Sequence, residues 1–281
     1  MTRASPAKGA RQVVPRGSDF QPDRRDFDAV ASDFDRLRAL PEAAAQAIRS
    51  TVLDAIATPT RARLLDLGAG SGRIGWPFVR AGDDYVGVDV SSAMLQAFAK
   101  RREIGNKAAL VQADGCALPF AAATFDAVLL VQVFGGLKTW RALLDEARRV
   151  LRKGGMLMLG RTLTATDGID SRMKLQLARL LGERTVPGEP GNVREQAEHY
   201  LAVNTSSTTL IEAARWSATR TPRGFIDRHS AGARFSRLPF KLRTDALREL
   251  GDWAVAQFGS LDASFPETHW FELRLHRFAE R

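Results

Sequence analysis

The apolar residues of this chain fall into short runs that each stop at glycine or an acid. Residues 64–67 lead into Gly68, Gly70 and Gly72, residues 85–88 lead into Asp89, and residues 109–113 lead into Asp114 and Gly115. Residues 124–132 and 156–159 are two more such runs. Continuous apolar runs of this length predict strands buried on both faces, as in a parallel sheet. Between the fourth and fifth runs, Leu143, Leu144, Ala147, Val150 and Leu151 recur at helical spacing. They predict a helix over 140–151, with Lys153, Gly154 and Gly155 as its C-terminal cap turn.

Beyond residue 161 the pattern changes. Residues 172–181 and 193–201 read as helices separated by the turn-rich 187–191, followed by a strand over 208–218, a helix over 243–258 and an alternating strand over 270–275. Ahead of the first strand, residues 27–57 read as two helices, the second opening at Pro41, with Pro59 closing the linker. The order predicts an α/β fold. Its sheet is doubly wound, seven-stranded and mostly parallel, with a late antiparallel edge and a helical cap inserted between strands five and six. The domain runs over 27–281, with the substrate-facing cap in 162–240.

Composition adds a tail. The first eighteen residues hold Arg3, Lys8, Arg11 and Arg16 and no acid, within a chain of net charge +9, so residues 1–26 read as a disordered basic segment. An organelle transit peptide is the other reading of that tail. No apolar run reaches the length of a membrane span. The single cysteine, Cys116, excludes an internal disulfide and multi-cysteine zinc sites, and it suits a reducing cytoplasm. No metal site is expected.

The glycines fit two registers. Gly70, Gly72 and Gly75 match the dinucleotide pattern G-x-G-x-x-G, whereas Gly68, Gly70 and Gly72 match G-x-G-x-G. Asp66 separates the two, because a carboxylate two residues before the turn opposes a pyrophosphate and favours a cationic sulfonium and ammonium. Asp89, at the tip of the next strand, is placed to accept from ribose hydroxyls.

Taken in order, the glycine turn, Asp89, Asp114-Gly115, the fourth strand and the 153–155 turn resemble class I S-adenosylmethionine-dependent methyltransferases. Within that class the chain is similar to the small-molecule, quinone-biosynthesis-like branch (methyltransferase type 11). The resemblance covers roughly residues 27–160. It implies a Rossmann-like methyltransferase fold with S-adenosyl-L-methionine as cofactor. Asp66, Gly68, Ala69, Gly70 and Gly72 would hold the methionine end, Asp89 and Val90 the ribose side, Met94 the adenine face, and Asp114 with Gly115 the adenine amino group. Gln132, closing the fourth strand, would point toward the transfer site, and Phe34-Asp35 would lie over the cofactor.

The acceptor is less defined. His199 and His229 fall in the expected cap and, with Gln132, are the candidates for a base. Between Arg215 and Arg243 eight basic residues face one acid, Asp227, with Trp216, Phe225, Phe235 and Phe240 interleaved. That composition suits an anionic or aromatic small acceptor, with Arg223 and Arg228 the first choices, or a solvated basic face. A nucleic-acid methyltransferase shares the charge. Against it, Gln132-Val133-Phe134-Gly135 stands where amino-methylating enzymes carry N-D/P-P-Y/F, and no added RNA-binding module is present. A nucleotide-binding oxidoreductase and a non-catalytic nucleoside-binding module remain further alternatives.

Overall fold

The computed structural model describes residues 39–56, 61–101, 108–135, 137–182, 193–230, 235 and 238–279. The tail over 1–26, Phe34-Asp35, Pro59 and the 187–191 turn lie outside them. Helix α1 (Glu42–Ile56) precedes β1 (Arg63–Leu67), and α2 (Trp76–Ala81) connects β1 to β2 (Asp84–Asp89). Helix α3 (Ser92–Lys100) leads to β3 (Ala109–Gln112), then β4 (Phe125–Val131), α4 (Trp140–Val150) and β5 (Leu151–Thr164). The second half adds α5 (Ile169–Leu181), α6 (Val193–Asn204), β6 (Thr205–Arg220), α7 (Pro222–Ser230), α8 (Phe240–Phe258) and β7 (Phe265–Phe278).

The strands form one seven-stranded sheet in the order β3-β2-β1-β4-β5-β7-β6. β3, β2, β1, β4 and β5 pair in parallel, and β7 is antiparallel to both β5 and β6. β7 therefore lies inside the sheet and β6 forms the edge. Alternate residues of each strand feed two cores. Leu64, Leu129, Met158 and Phe271 pack with Ile48, Val52, Phe78 and Phe98 of α1–α3 on one side. Leu65, Val128 and Leu157 pack with Leu144, Ala147, Ala197 and Leu201 of α4 and α6 on the other.

Three departures from the sequence reading bear on the site. First, α4 ends at Val150 and Leu151 is already extended (φ −71°, ψ 137°). β5 starts there, and the expected cap turn is a bulge: Phe125 pairs Leu151 but Ala127 pairs Met156, so 152–155 loop out with Gly154 at φ 76°. Asp126 holds the bulge by accepting twice from Arg152 Nη1 (2.7 and 2.8 Å). Second, the strands of the second half are longer than expected, because their outer ends alternate polar and apolar residues that an apolar-run reading drops. β5 runs four residues past Gly160, which pairs with Val131 at the end of β4, so β5, β7 and β6 rise as a wall roughly 13 Å above the other strand tips.

Third, the cap is divided differently. α6 packs on the sheet through Val193, Ala197 and Leu201. A third core instead joins α5 (Ile169, Met173, Leu177) to α7 (Phe225) and α8 (Ala246, Leu250, Ala254). That core therefore joins α5, which precedes β6, to two helices that follow it, the second of them the helix expected over 243–258.

Two buried histidines in the wall set an acid limit to stability. Burial drives His269 and His276 from 6.5 down to about 4, helped by the neighbouring cations Arg220 and Arg274 respectively. Both stay neutral in the fold while the unfolded chain protonates near 6.5, so stability is full above 6.5 and falls as the pH drops from there toward 4. Asp66, raised by burial to about 6, acts with the opposite sign between 6 and 3.8, and two histidines outweigh it. Urea denaturation at pH 7 and 4.5 should show a loss, and His276→Gln should reduce that loss by about 1–2 kcal/mol.

Candidate functional site

Ligands of open α/β sheets bind beyond the carboxyl ends of the strands, where successive connections run to opposite sides. Here that switch point lies between β1 and β4, flanked by β2 and β3. The turn after β1 is built of left-handed glycines: Gly68 (φ 80°), Gly70 (φ 55°) and Gly72 (φ 84°). Gly68 N and Ala69 N both donate to Val88 O (2.8 and 3.0 Å), which ties the turn to β2. A Cβ on Gly68 would stand 2.5 Å from Val133 Cγ1, so the turn also packs directly on the residue pair closing β4.

Asp89 is the centre of this row. Its Oδ2 accepts from Gly70 N (2.8 Å) and its Oδ1 from Ser91 N (2.9 Å). A carboxylate offers about four lone-pair sites, so it retains acceptor capacity for ribose hydroxyls. The contact also decides the glycine register. The Gly70 N–H that a pyrophosphate would use is taken by an anion, and a phosphate beside that anion would be repelled.

Asp66 differs from its expected place. Its side chain is 2% exposed and turns beneath the glycine turn, where Tyr85 Oη donates to Oδ2 (2.7 Å). Gly75 lies against that hydroxyl, with 2.0 Å to a hypothetical Cβ. Asp66 and Tyr85 thus support the turn from below rather than present a carboxylate to a ligand. Burial raises Asp66 to about 6; the Tyr85 hydrogen bond works against that rise, Asp89 adds to it and Arg73 opposes it.

Met94 is likewise turned inward, 3% exposed, because Ser91 caps α3 by accepting from Met94 N (3.1 Å) and sends the next turn into the core. Val90, 40% exposed, is the apolar surface beside Asp89, and its carbonyl accepts from Gln112 Nε2 (3.1 Å). Asp114 follows β3 and is exposed, with Oδ1 accepting from Cys116 N (2.8 Å). Gly115 fits against Leu143 Cδ1, at 2.5 Å from a hypothetical Cβ.

At the other end of the row, Gln132 leaves β4 with φ 57°, a left-handed value rare outside glycine. Its Oε1 accepts from Arg73 Nη2 (2.7 Å). Arg73 follows the third glycine directly.

The cap candidates do not converge on the row. His199 is exposed on α6 and lines an open hollow with Arg141, Gln196 and Tyr200. His229 stacks on Phe225 (3.7 Å between centroids) with Nδ1 2.9 Å from Phe225 O, inside α7. Arg223 pairs with Asp262 (2.6 Å) and Arg228 with Asp170 (2.5 Å). Arg215 and Lys241 pair with Glu212 and Asp245. Arg215, Arg220, Arg223, Arg228 and Lys241, five of the basic residues of that stretch, are therefore ion-paired.

The Arg228 pair belongs to a network that sequence reasoning missed, since its members lie up to 97 residues apart. Asp170 also faces Arg220 (3.7 Å), and its backbone N donates to the buried Glu267 Oε2 (2.9 Å). Arg220 Nε donates to His269 Nε2 (3.2 Å), and His269 stacks on Trp216. These contacts fasten α5 and α7 to the wall. Arg228→Ala should lower stability by about 1–3 kcal/mol by removing the nearer of the two cations on Asp170, whereas Arg223→Ala should leave the melting temperature unchanged.

Residues 65–159, which hold the glycine turn, Asp89, Asp114 and Gln132, match the family described as Methyltransferase domain. The chain is 32% identical over 134 residues to a demethylmenaquinone methyltransferase of Clavibacter sepedonicus, covering 47% of this chain and 55% of that protein. It is 36% identical over 139 residues to the ubiquinone/menaquinone biosynthesis C-methyltransferase UbiE of Paracoccus denitrificans, covering 47% and 56%. The match thus spans little more than half the length of these relatives. Two solved structures share the fold: YcgJ of Bacillus subtilis (TM-score 0.53, 18% identity, 83% of this chain and 99% of that one) and phosphoethanolamine N-methyltransferase 2 of Haemonchus contortus (TM-score 0.52, 16% identity, 92% and 61%). Fold, tip geometry and family match make this part of the chain similar to class I S-adenosylmethionine-dependent methyltransferases of the quinone-biosynthesis-like type, whose cofactor is S-adenosylmethionine.

Proposed function

We propose that the chain transfers the methyl group of S-adenosylmethionine to a small aromatic acceptor of the reduced-quinone kind by in-line displacement. The observation that carries this reading is the Asp89 carboxylate seated on Gly70 N, which suits a ribose and excludes a pyrophosphate at the turn. The cofactor would lie along the strand tips, with its nucleoside over Val90, Asp89 and Asp114. Its sulfonium end would reach the crevice between β1 and β4. The sulfonium supplies the leaving group, so the protein's main contribution is to hold acceptor, methyl and sulfur in line, which can lower the barrier by about 7–11 kcal/mol.

The names of the relatives point to a quinone-type ring as acceptor. The family match covers the tip row and ends at residue 159, within β5, so on this reading acceptor selection rests on the outer part of β5, on β6 and β7, and on α5, α7 and α8. The pairing of Arg215, Arg220, Arg223, Arg228 and Lys241 favours a small molecule over a nucleic acid, which needs cations available to phosphates. No helix among the described residues is long and apolar enough to cross a membrane, and we place the protein in the cytoplasm.

The full chain, given methyl-labelled S-adenosylmethionine with a reduced demethylmenaquinone or with total RNA, should label the quinol ring. Label in RNA alone, or in neither, would overturn the proposal.

A further inference from the structure

The α6 side of the wall carries a charged cluster apart from the tip row. Gly160 pairs with Val131, the last residue of β4, so Arg161 stands one residue beyond that tip. It lies on the same face of β5 as Leu159; across on β7, Leu159 pairs with Arg274 and Arg161 with Glu272. Arg194 and Glu198, one turn apart on α6, flank the residues Ala197 and Leu201 that seat the helix on this face.

The pairings leave a surplus of positive charge. Arg161 Nε donates to Glu272 Oε2 (2.7 Å), and Arg194 Nε donates to Glu198 Oε1 (2.6 Å). Among the described residues Arg274 faces only the other oxygen of Glu198, with Nη1 3.4 Å from Oε2, and so shares that carboxylate with Arg194. Three guanidiniums therefore face two carboxylates. Adjoining groups do not offset the surplus. Glu212, opposite Glu272 on β6, is paired with Arg215, and His276 is neutral because burial, helped by Arg274, drives it down to about 4.

The surplus is half-buried yet reachable. The side chains of Arg194, Arg274 and Arg161 are 20, 29 and 32% exposed. Burial pulls the Arg194 pKa below its ordinary value; Glu198 works against that, and Arg161 and Arg274 add to it. The two Nη groups of Arg194 donate to no described residue, and neither does any side-chain N–H of Arg274 in hydrogen-bond geometry. Guanidinium forks match the two coplanar oxygens of a carboxylate, and one carboxylate would bring the cluster to neutrality. A phosphate dianion would leave a surplus of the opposite sign.

We infer that Arg161, Arg194 and Arg274 form a binding site for the carboxylate of a small organic acid, beside the tip of β4. The inference goes beyond the methyl transfer proposed above and does not rest on it. The sequence gave no sign of the site, since its members come from β5, α6 and β7 and meet only in the fold.

Benzoate and benzamide share a ring and differ in charge, so the pair separates a carboxylate site from an apolar one. With the full chain at constant ionic strength, benzoate should raise the melting temperature saturably, whereas benzamide and inorganic phosphate should not. Arg194→Gln, Arg274→Gln and Arg161→Gln each remove the surplus charge and should weaken benzoate by about tenfold or more. Glu198→Gln enlarges the surplus and should bind benzoate more tightly than wild type, an effect that an ion-pair cluster with a structural role alone would not show. Each variant is referred to its own ligand-free melting temperature, and three arginine variants keep the test decisive where one fails to fold.

The inference is overturned if wild type responds to benzamide or phosphate as strongly as to benzoate, or to none of the three. It is equally overturned if the arginine variants keep the wild-type response to benzoate, or if Glu198→Gln loses it.

Discussion

Replacing Gly72 with alanine should cost the protein about 2–5 kcal/mol in chemical denaturation. Two independent penalties add. The backbone sits at φ 84°, where a Cβ costs roughly 1–2 kcal/mol. The new methyl would also stand 2.3 Å from Phe98 Cδ2, in a ring that is fully buried and cannot move aside, and overpacking of this kind costs about 1–3 kcal/mol. Gly82 provides the control: it has a similar φ of 77° but nothing within 4 Å of a hypothetical Cβ. Gly82→Ala should therefore lose only the backbone share. Equal losses at the two positions would show that Phe98 is not the constraint.

Asp89→Ala should weaken S-adenosylhomocysteine by tenfold to a hundredfold while the folded state persists. The carboxylate holds Gly70 N in the cradle and, on the proposed reading, accepts from the ribose, and hydrogen bonds to a charged group contribute about 1.5–3 kcal/mol each. 5′-Methylthioadenosine carries the same ribose and should weaken in parallel. Unchanged affinity for both would remove Asp89 from the site.

The first half of the fold was readable because its signals are local. The runs at 64–67, 85–88, 124–132 and 156–159 are largely buried on both faces, and they correspond, the first three to within one residue at each end, to β1, β2, β4 and the middle of β5. The bulge at 152–155 was not readable, since a glycine pair after a helix is an ordinary cap and only the pairing of Phe125 with Leu151 shows otherwise. The outer ends of β5, β6 and β7 were missed for a related reason. Residues such as Thr164, Arg220 and Glu267 are strand residues only because a neighbouring strand pairs them.

The site divides in the same way. Asp89, Asp114 and the glycines announce themselves by standing where an apolar run stops. Asp66 was read as facing the sulfonium end, and its partner Tyr85, nineteen residues on, emerged only from the pairing of β1 with β2. Met94 showed the limit of carrying a role across a resemblance, because the Ser91 cap turns it inward. Arg223 and Arg228 looked like ligand-binding residues while the acids that neutralise them, Asp262 and Asp170, were out of sight 39 and 58 residues away.

The central claim is that the strand tips form an S-adenosylmethionine site rather than a dinucleotide site. Calorimetric titration of the purified full chain with S-adenosylhomocysteine and, separately, with NADH tests it most directly. The account predicts saturable binding of S-adenosylhomocysteine at one site per chain and no heat from NADH. Binding of NADH, or silence toward S-adenosylhomocysteine, would contradict it.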